Sequence, residues 1–201
     1  MLNVPAFRAA RRDSPLDGQN MNRVFPGDAD GTITQRVARF VTDEVLARAD
    51  VVIDLHSGGA GFEIIRCMSF HQVSDPARYA EFRETALLFG TPFVMIYTGG
   101  MGSGLLTEEA EAMGKITIGS ELGFGASTDL DGVRWAHHGT LNVMRRYGLL
   151  DESPVALAPP GLDRQRVVSA TDIDRYVTAP VSGISEPLVV SLAQHEIGRA
   201  H

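Results

Sequence analysis

Asp50-Val51-Val52-Ile53-Asp54-Leu55-His56 is the stretch on which the fold turns. Three consecutive β-branched residues between two aspartates show no polar alternation. Such a run reads as an inner strand of a parallel sheet, buried on both faces. Upstream, residues 32–47 place Ile33, Val37, Phe40, Val41 and Val45 at helical spacing, with Thr32 or Asp30 as N-cap. Downstream, residues 62–68 read as a strand and 75–89 as a helix opened by Asp75-Pro76. An apolar strand over 93–97, a Gly-rich loop over 99–104, a short helix over 107–113 and a strand over 115–120 come next. The amphipathic stretch 130–147 reads as a long helix stopped by Gly148. Strands alternating with helices predict an α/β layered sheet.

The ends of the chain read differently. Residues 1–31 carry almost no periodicity but are dense in Arg, Asp, Asn and Gly, so they are expected to pack as an ordered irregular loop. Residues 151–163 hold three of the ten prolines and read as a linker. It divides a domain over 1–150 from a small β-rich module over 164–201, with short strands near 166–169, 175–178 and 188–191.

The chain has 201 residues, 44% hydrophobic and 21% charged, which is a globular balance. Eighteen basic against twenty-five acidic residues give a formal charge of −7. That sign repels phosphate backbones and anionic lipid, and no basic stripe offsets it, so no nucleic-acid or membrane partner is expected. No apolar run approaches the roughly 20 residues that span a bilayer. The single cysteine, Cys67, fits a reducing compartment, and the opening Met1-Leu2-Asn3-Val4-Pro5 has no signal-peptide core, so a cytoplasmic protein is expected. Helical and edge surfaces permit a homo-oligomer.

Ligands of open parallel sheets gather at the carboxyl ends of strands. His56 stands at one such end, followed by Ser57-Gly58-Gly59, and Glu121 at another, followed by Leu122-Gly123-Phe124-Gly125. A neutral imidazole can ligate zinc and a carboxylate can deprotonate a metal-bound water, but each residue also reads as a plain hydrogen-bonded strand end. In the N-terminal loop, Arg12, Asn22 and Arg23 could grip a carboxylate or an oxyanion. They could equally form a solvated loop tied down by Asp13, Asp17 and Asp28.

The ordered set Asn22-Arg23-Val24-Phe25-Pro26-Gly27, Asp54-Leu55-His56-Ser57-Gly58-Gly59 and Glu121-Leu122-Gly123 resembles the succinylglutamate desuccinylase/aspartoacylase family. These are zinc-dependent deacylases related to the zinc carboxypeptidases. Within the family the chain is most similar to the group that deacetylates N-acetyl-diaminobutyrate in ectoine breakdown. The likeness covers roughly residues 3–150 and continues more loosely through 179–187. It implies a zinc-carboxypeptidase-like mixed sheet flanked by helices, with its N-terminal part missing, and a shortened C-terminal β-rich module. It also implies hydrolysis of the amide of a small N-acyl amino acid. By the resemblance, His56 is the last of three zinc ligands and Glu121 the general base. Arg12 polarises the scissile carbonyl, and Asn22 with Arg23 holds the substrate carboxylate.

The family's first two zinc ligands lie in a Gly-x-x-His-Gly-x-Glu-type turn ahead of the long loop, and here no histidine precedes His56. The Zn2+ site is therefore expected to be incomplete and the chain inactive by itself. His71, His137, His138, His195 and His201 read as surface or capping residues, since no i,i+4 pair is present. The alternative is a metal-free, truncated remnant that binds carboxylates or a partner protein.

Overall fold

A computed structural model describes residues 2–58, 64–99, 103–124, 128–159, 162–172, 174 and 181–183. Five strands, β1 (Val51–Asp54), β2 (Cys67–His71), β3 (Phe93–Tyr97), β4 (Ile116–Glu121) and β5 (Arg166–Ala170), form one sheet in the order β1-β4-β2-β3-β5. Helices α1 (Val4–Arg8), α2 (Ile33–Phe40), α3 (Pro76–Leu87), α4 (Leu106–Ala112) and α5 (Leu130–Arg146) flank it. β1 runs parallel to β4 with Val51 opposite Ile116, and β3 runs parallel to β5 with Phe93 opposite Arg166. The expected α/β sheet is present. No helix among the described residues is long and apolar enough to cross a membrane.

By contact density the chain divides into two units, residues 1–54 with 70–86 and 98–119, and residues 55–69 with 87–97 and 120–201. In the first, Phe25, Ala38, Val41, Leu46, Val52 and Ala110 make a buried apolar cluster. Phe70 adds edge-on contacts to Tyr79 and Phe82, with ring centroids 5.6 and 6.2 Å apart. In the second, buried Asn142 of α5 donates to the carbonyls of Leu88 (3.0 Å) and Val155 (2.8 Å) and accepts from the Val155 N–H. That amide fastens part of the Pro-rich 151–159 stretch to α5, satisfying a polar group that would be costly if buried alone.

Several elements differ from their sequence expectation. The opening segment is not wholly irregular. The Asn3 side chain accepts the Ala6 N–H (3.2 Å) and Pro5 sits in the first turn, so one turn of helix, α1, forms. The second strand begins at Cys67 rather than near residue 62. Ile64 and Ile65 supply β-branched character but lie outside the strand, whereas all five residues of β2 are buried.

Helix α2 shows the largest difference. It is capped by Thr32 in a reciprocal box with Gln35 and ends at Phe40; of the expected stripe, Val41 just past its end is buried and Val37 half-buried, whereas Ile33, Phe40 and Val45 are exposed and Thr34 and Ala38 are buried instead. Small residues decide this. A Cβ on Gly27 would lie 2.1 Å from the Arg39 N, so the preceding turn presses directly on the helix backbone. The Thr42 hydroxyl donates to the Pro26 carbonyl (3.0 Å) on the same side. The strands expected over 175–178 and 188–191, most of the stretch 179–187, and His195 and His201 lie outside the described residues.

Candidate active site

The loop that leads into α2 is held by its own polar groups. The Ser14 N–H donates to the Gln19 carbonyl (2.9 Å), and the Gly18 N–H donates to the Ser14 carbonyl (2.8 Å). Asp17 accepts from the Thr34 N–H (2.8 Å) and the Thr34 hydroxyl (2.9 Å), which fixes the loop to the first turn of α2. Burial alone would raise the Asp17 pKa. The hydrogen bonds from Thr34, Gln19 and Thr32 outweigh it and hold the carboxyl at about 2.

Within that loop the candidate substrate residues are positioned unequally. The Asn20 side chain accepts the Asn22 N–H (3.0 Å) and starts a 3-10 turn, Met21–Arg23. The Asn22 side-chain carbonyl accepts the Leu106 N–H (2.7 Å), and its amide donates to Asp54 (3.4 Å), the last residue of β1. Gly104 makes the close approach possible. Its φ is +70°, and a Cβ there would lie 2.4 Å from the Arg23 carbonyl oxygen. Arg23 is exposed, with its guanidinium donating to the Asn22 main-chain carbonyl, and Arg12 is exposed. Asn22 is thus anchored on both faces of its amide, while the two arginines reach solvent.

In the second unit the structure brings His56 and Glu121 onto neighbouring segments. The His56 N–H donates to the Ser120 hydroxyl (2.9 Å), and the Leu122 N–H donates to the His56 carbonyl (2.9 Å). One step further, the Gly58 N–H donates to the Gly123 carbonyl (2.7 Å). These bonds flank Glu121 on either side. His56 is exposed and Glu121 half-buried. Gly59 and Gly125, the outer glycines of the two motifs, lie outside the described residues.

Several polar groups near these segments carry no signal in the sequence pattern. Ser120 ties the two segments together. Arg66 pairs with Asp129, and its guanidinium lies 5.3 Å from the Phe124 ring centroid. Asp129 caps α5 by accepting the Gly132 N–H (2.9 Å). Burial would raise its pKa, but the bonds from Gly132 and Arg66 hold it below the usual carboxylate range. Cys67 is fully buried. Burial first, and then the negative charge of Glu121, push its thiol up to about 12, so it offers no thiolate for nucleophilic chemistry. His71 is buried rather than a surface residue, and its Nδ1 lies 2.7 Å from both carboxylate oxygens of Glu111.

A catalytic zinc site takes three protein ligands and leaves a position for water. Among the described residues no group of three or more His, Cys, Asp or Glu side chains is placed to hold a metal ion. The described residues alone do not fit a complete zinc site, although His56 is of a type that could ligate the ion.

His56 lies just past the end of β1 and Glu121 is the last residue of β4, positions at the strand ends where ligands of α/β sheets gather. Comparison with known proteins narrows the α/β class. A model of the succinylglutamate desuccinylase/aspartoacylase catalytic domain matches residues 1–147, and the chain belongs to that family. It is 34% identical over 192 residues to the N-alpha-acetyl-L-2,4-diaminobutyric acid deacetylase of Halomonas elongata, a match covering 96% of this chain and 55% of that one. Its structure is similar to a succinylglutamate desuccinylase/aspartoacylase from Rhodobacter sphaeroides, with a TM-score of 0.84, 32% identity, 94% of this chain and 56% of the other. It is also similar to the product-bound ectoine-utilisation protein EutE of Ruegeria pomeroyi, with a TM-score of 0.73, 31% identity, 86% of this chain and 51% of the other. The chain therefore spans about half the length of the relatives it matches.

Proposed function

We propose that this chain carries the general base and the substrate loop of a deacylase that hydrolyses the amide of a small N-acyl amino acid, with N-acetyl-diaminobutyrate as the leading candidate. The observation that carries the reading is Glu121 flanked by two hydrogen bonds to His56, one through the Ser120 hydroxyl and one from the Leu122 N–H, in a chain of this family. Glu121 takes a proton from the attacking water as oxygen bonds to the carbonyl carbon. It returns that proton to the nitrogen as the C–N bond breaks, releasing a carboxylate and an amine. Arg12 stabilises the oxyanion of the tetrahedral intermediate. Arg23 grips the substrate carboxylate, with Asn22 beside it on a side chain already anchored to Leu106. His56 is the one residue of the set suited to ligate zinc, which in this family would supply Lewis-acid activation of the water.

The absence of a three-ligand group among the described residues favours a second reading, a metal-free module that binds the carboxylate without turning it over. Two measurements on the purified chain separate the readings: acetate release from N-acetyl-diaminobutyrate with and without added zinc, and zinc retained per chain after dialysis. The deacylase reading expects zinc-dependent release. Glu121→Gln should lower kcat by about 10²-fold or more without changing retained zinc, because the base is not a ligand. Arg23→Ala should chiefly raise KM. Equal release by wild type and Glu121→Gln would refute the role of the base. Substrate binding with no release at any zinc concentration would establish the second reading.

A further inference from the structure

Asp54 is a charged residue at the carboxyl end of β1 to which the reaction above gives no role. Side chains two apart in a strand share a face. Val52 is buried in the cluster with Phe25 and Ala110, and Met21, Val24 and Leu106 pack against that cluster. Asp54 stands on the same face, one step nearer the carboxyl end, and there its carboxylate accepts from the Asn22 amide at 3.4 Å.

The turn that carries Asn22 and Arg23 is thus held from two sides. Met21 and Val24 rest on the apolar cluster. The Asn22 Oδ1 accepts the Leu106 N–H at 2.7 Å, while its Nδ2 donates to Asp54. The Phe25 N–H adds a bond to the Gly104 carbonyl (3.0 Å). Every one of these residues belongs to the first unit. The two partners of the amide also decide which way round it sits. A backbone N–H is matched only by the amide oxygen and a carboxylate only by the amide nitrogen, so a flipped amide would lose both bonds. An amide held at one end can still swing about that bond; held at both ends it is ordered before a ligand arrives, which lowers the entropic cost of binding. Charge alone would argue the other way. A negative Asp54 beside residues that grip a carboxylate repels the ligand.

We propose that Asp54 is a positioning residue for the carboxylate grip, locking the Asn22 amide and the Arg23 turn in their binding arrangement. The proposal rests on Arg23 as that grip, a role that the deacylase and the metal-free binding readings share. Isothermal titration of the full chain, with chelator present to prevent turnover, compares N-acetyl-diaminobutyrate with its uncharged carboxamide; circular dichroism verifies that each variant folds. Wild type should prefer the carboxylate, and Arg23→Ala should lose the preference. Asp54→Ala should weaken carboxylate binding by about 5-fold or more, whereas Asp54→Asn, which keeps an acceptor oxygen, should bind at least as well as wild type to within about 2-fold. A preference lost in Arg23→Ala but intact in Asp54→Ala would overturn the role of Asp54 alone. Tighter carboxylate binding by Asp54→Ala would overturn it too, since the charge would then only repel. A preference that survives Arg23→Ala, or is missing from wild type, would remove the reading of Arg23 and the proposal with it. One measurement needs no variant: by NMR, the Asn22 side-chain amide protons of wild type should exchange with water more slowly than those of free asparagine, and equal rates would overturn the lock.

Discussion

Asp17 does more than any other single side chain to give the N-terminal loop a shape. Its carboxylate accepts from the backbone and hydroxyl of Thr34, and its pKa is held at about 2. A carboxyl depressed in the folded state contributes stability that is fully present above its unfolded pKa of roughly 4 and is lost as pH falls through about 2. Asp17→Asn should therefore cost about 1 kcal/mol near neutral pH. Urea titrations of both proteins should show that difference shrinking as pH falls from about 4 towards 2; a difference independent of pH would show that the carboxylate charge is irrelevant. At this scale the sequence was partly legible. Asp17 and Asp28 belong to a dense polar loop, and such residues tie loops down. His71 was not legible, because its partner Glu111 comes from a different element and no local spacing links them.

The elements were more legible than their orientations. Helices near 33–40, 76–87 and 130–146 emerge from caps and periodicity, yet α2 faces the core with its small residues. Periodicity reports where apolar side chains lie around a helix but not which side the rest of the chain approaches. A glycine at 27 and an alanine at 38 allow that approach closer than Ile33 or Phe40 could. The same logic governs α5. A Cβ on Gly132 would lie 1.7 Å from the Leu122 carbonyl oxygen, so the helix start packs against the residue just after Glu121. Gly132→Ala should cost about 1–3 kcal/mol by overpacking. A thermal melt should show a Tm lower by several degrees, and an unchanged Tm would mean that Leu122 is free to shift.

For the whole molecule, the α/β class was readable from the run at Asp50 to His56 and from the alternation around it. Strand order was not, since neither parallel pair joins strands that are consecutive in sequence. The candidate site divides in the same way. His56 and Glu121 were legible as strand-end polar residues, whereas Ser120, Arg66 and Asp129 draw their roles from contacts across many residues. β5 is joined to the sheet by β3 alone, with Arg166 opposite Phe93. A chain ending at residue 165 would leave β3 with an open edge, and open edges pair with other chains. Light scattering of that truncated protein should show aggregation at concentrations where the full chain stays clear; equal clarity would mean that β5 protects nothing.

The parallel registers also set a clock for synthesis. Val51 pairs with Ile116 and Phe93 with Arg166, so each early strand leaves the ribosome well before its partner has been made. At about 5–20 residues per second, the nascent chain carries each unpaired strand for several seconds. Over that interval the buried run Cys67-Met68-Ser69-Phe70 has no finished sheet to enter. Yield in a cell is then governed as much by what shields the growing chain as by the stability of the finished fold.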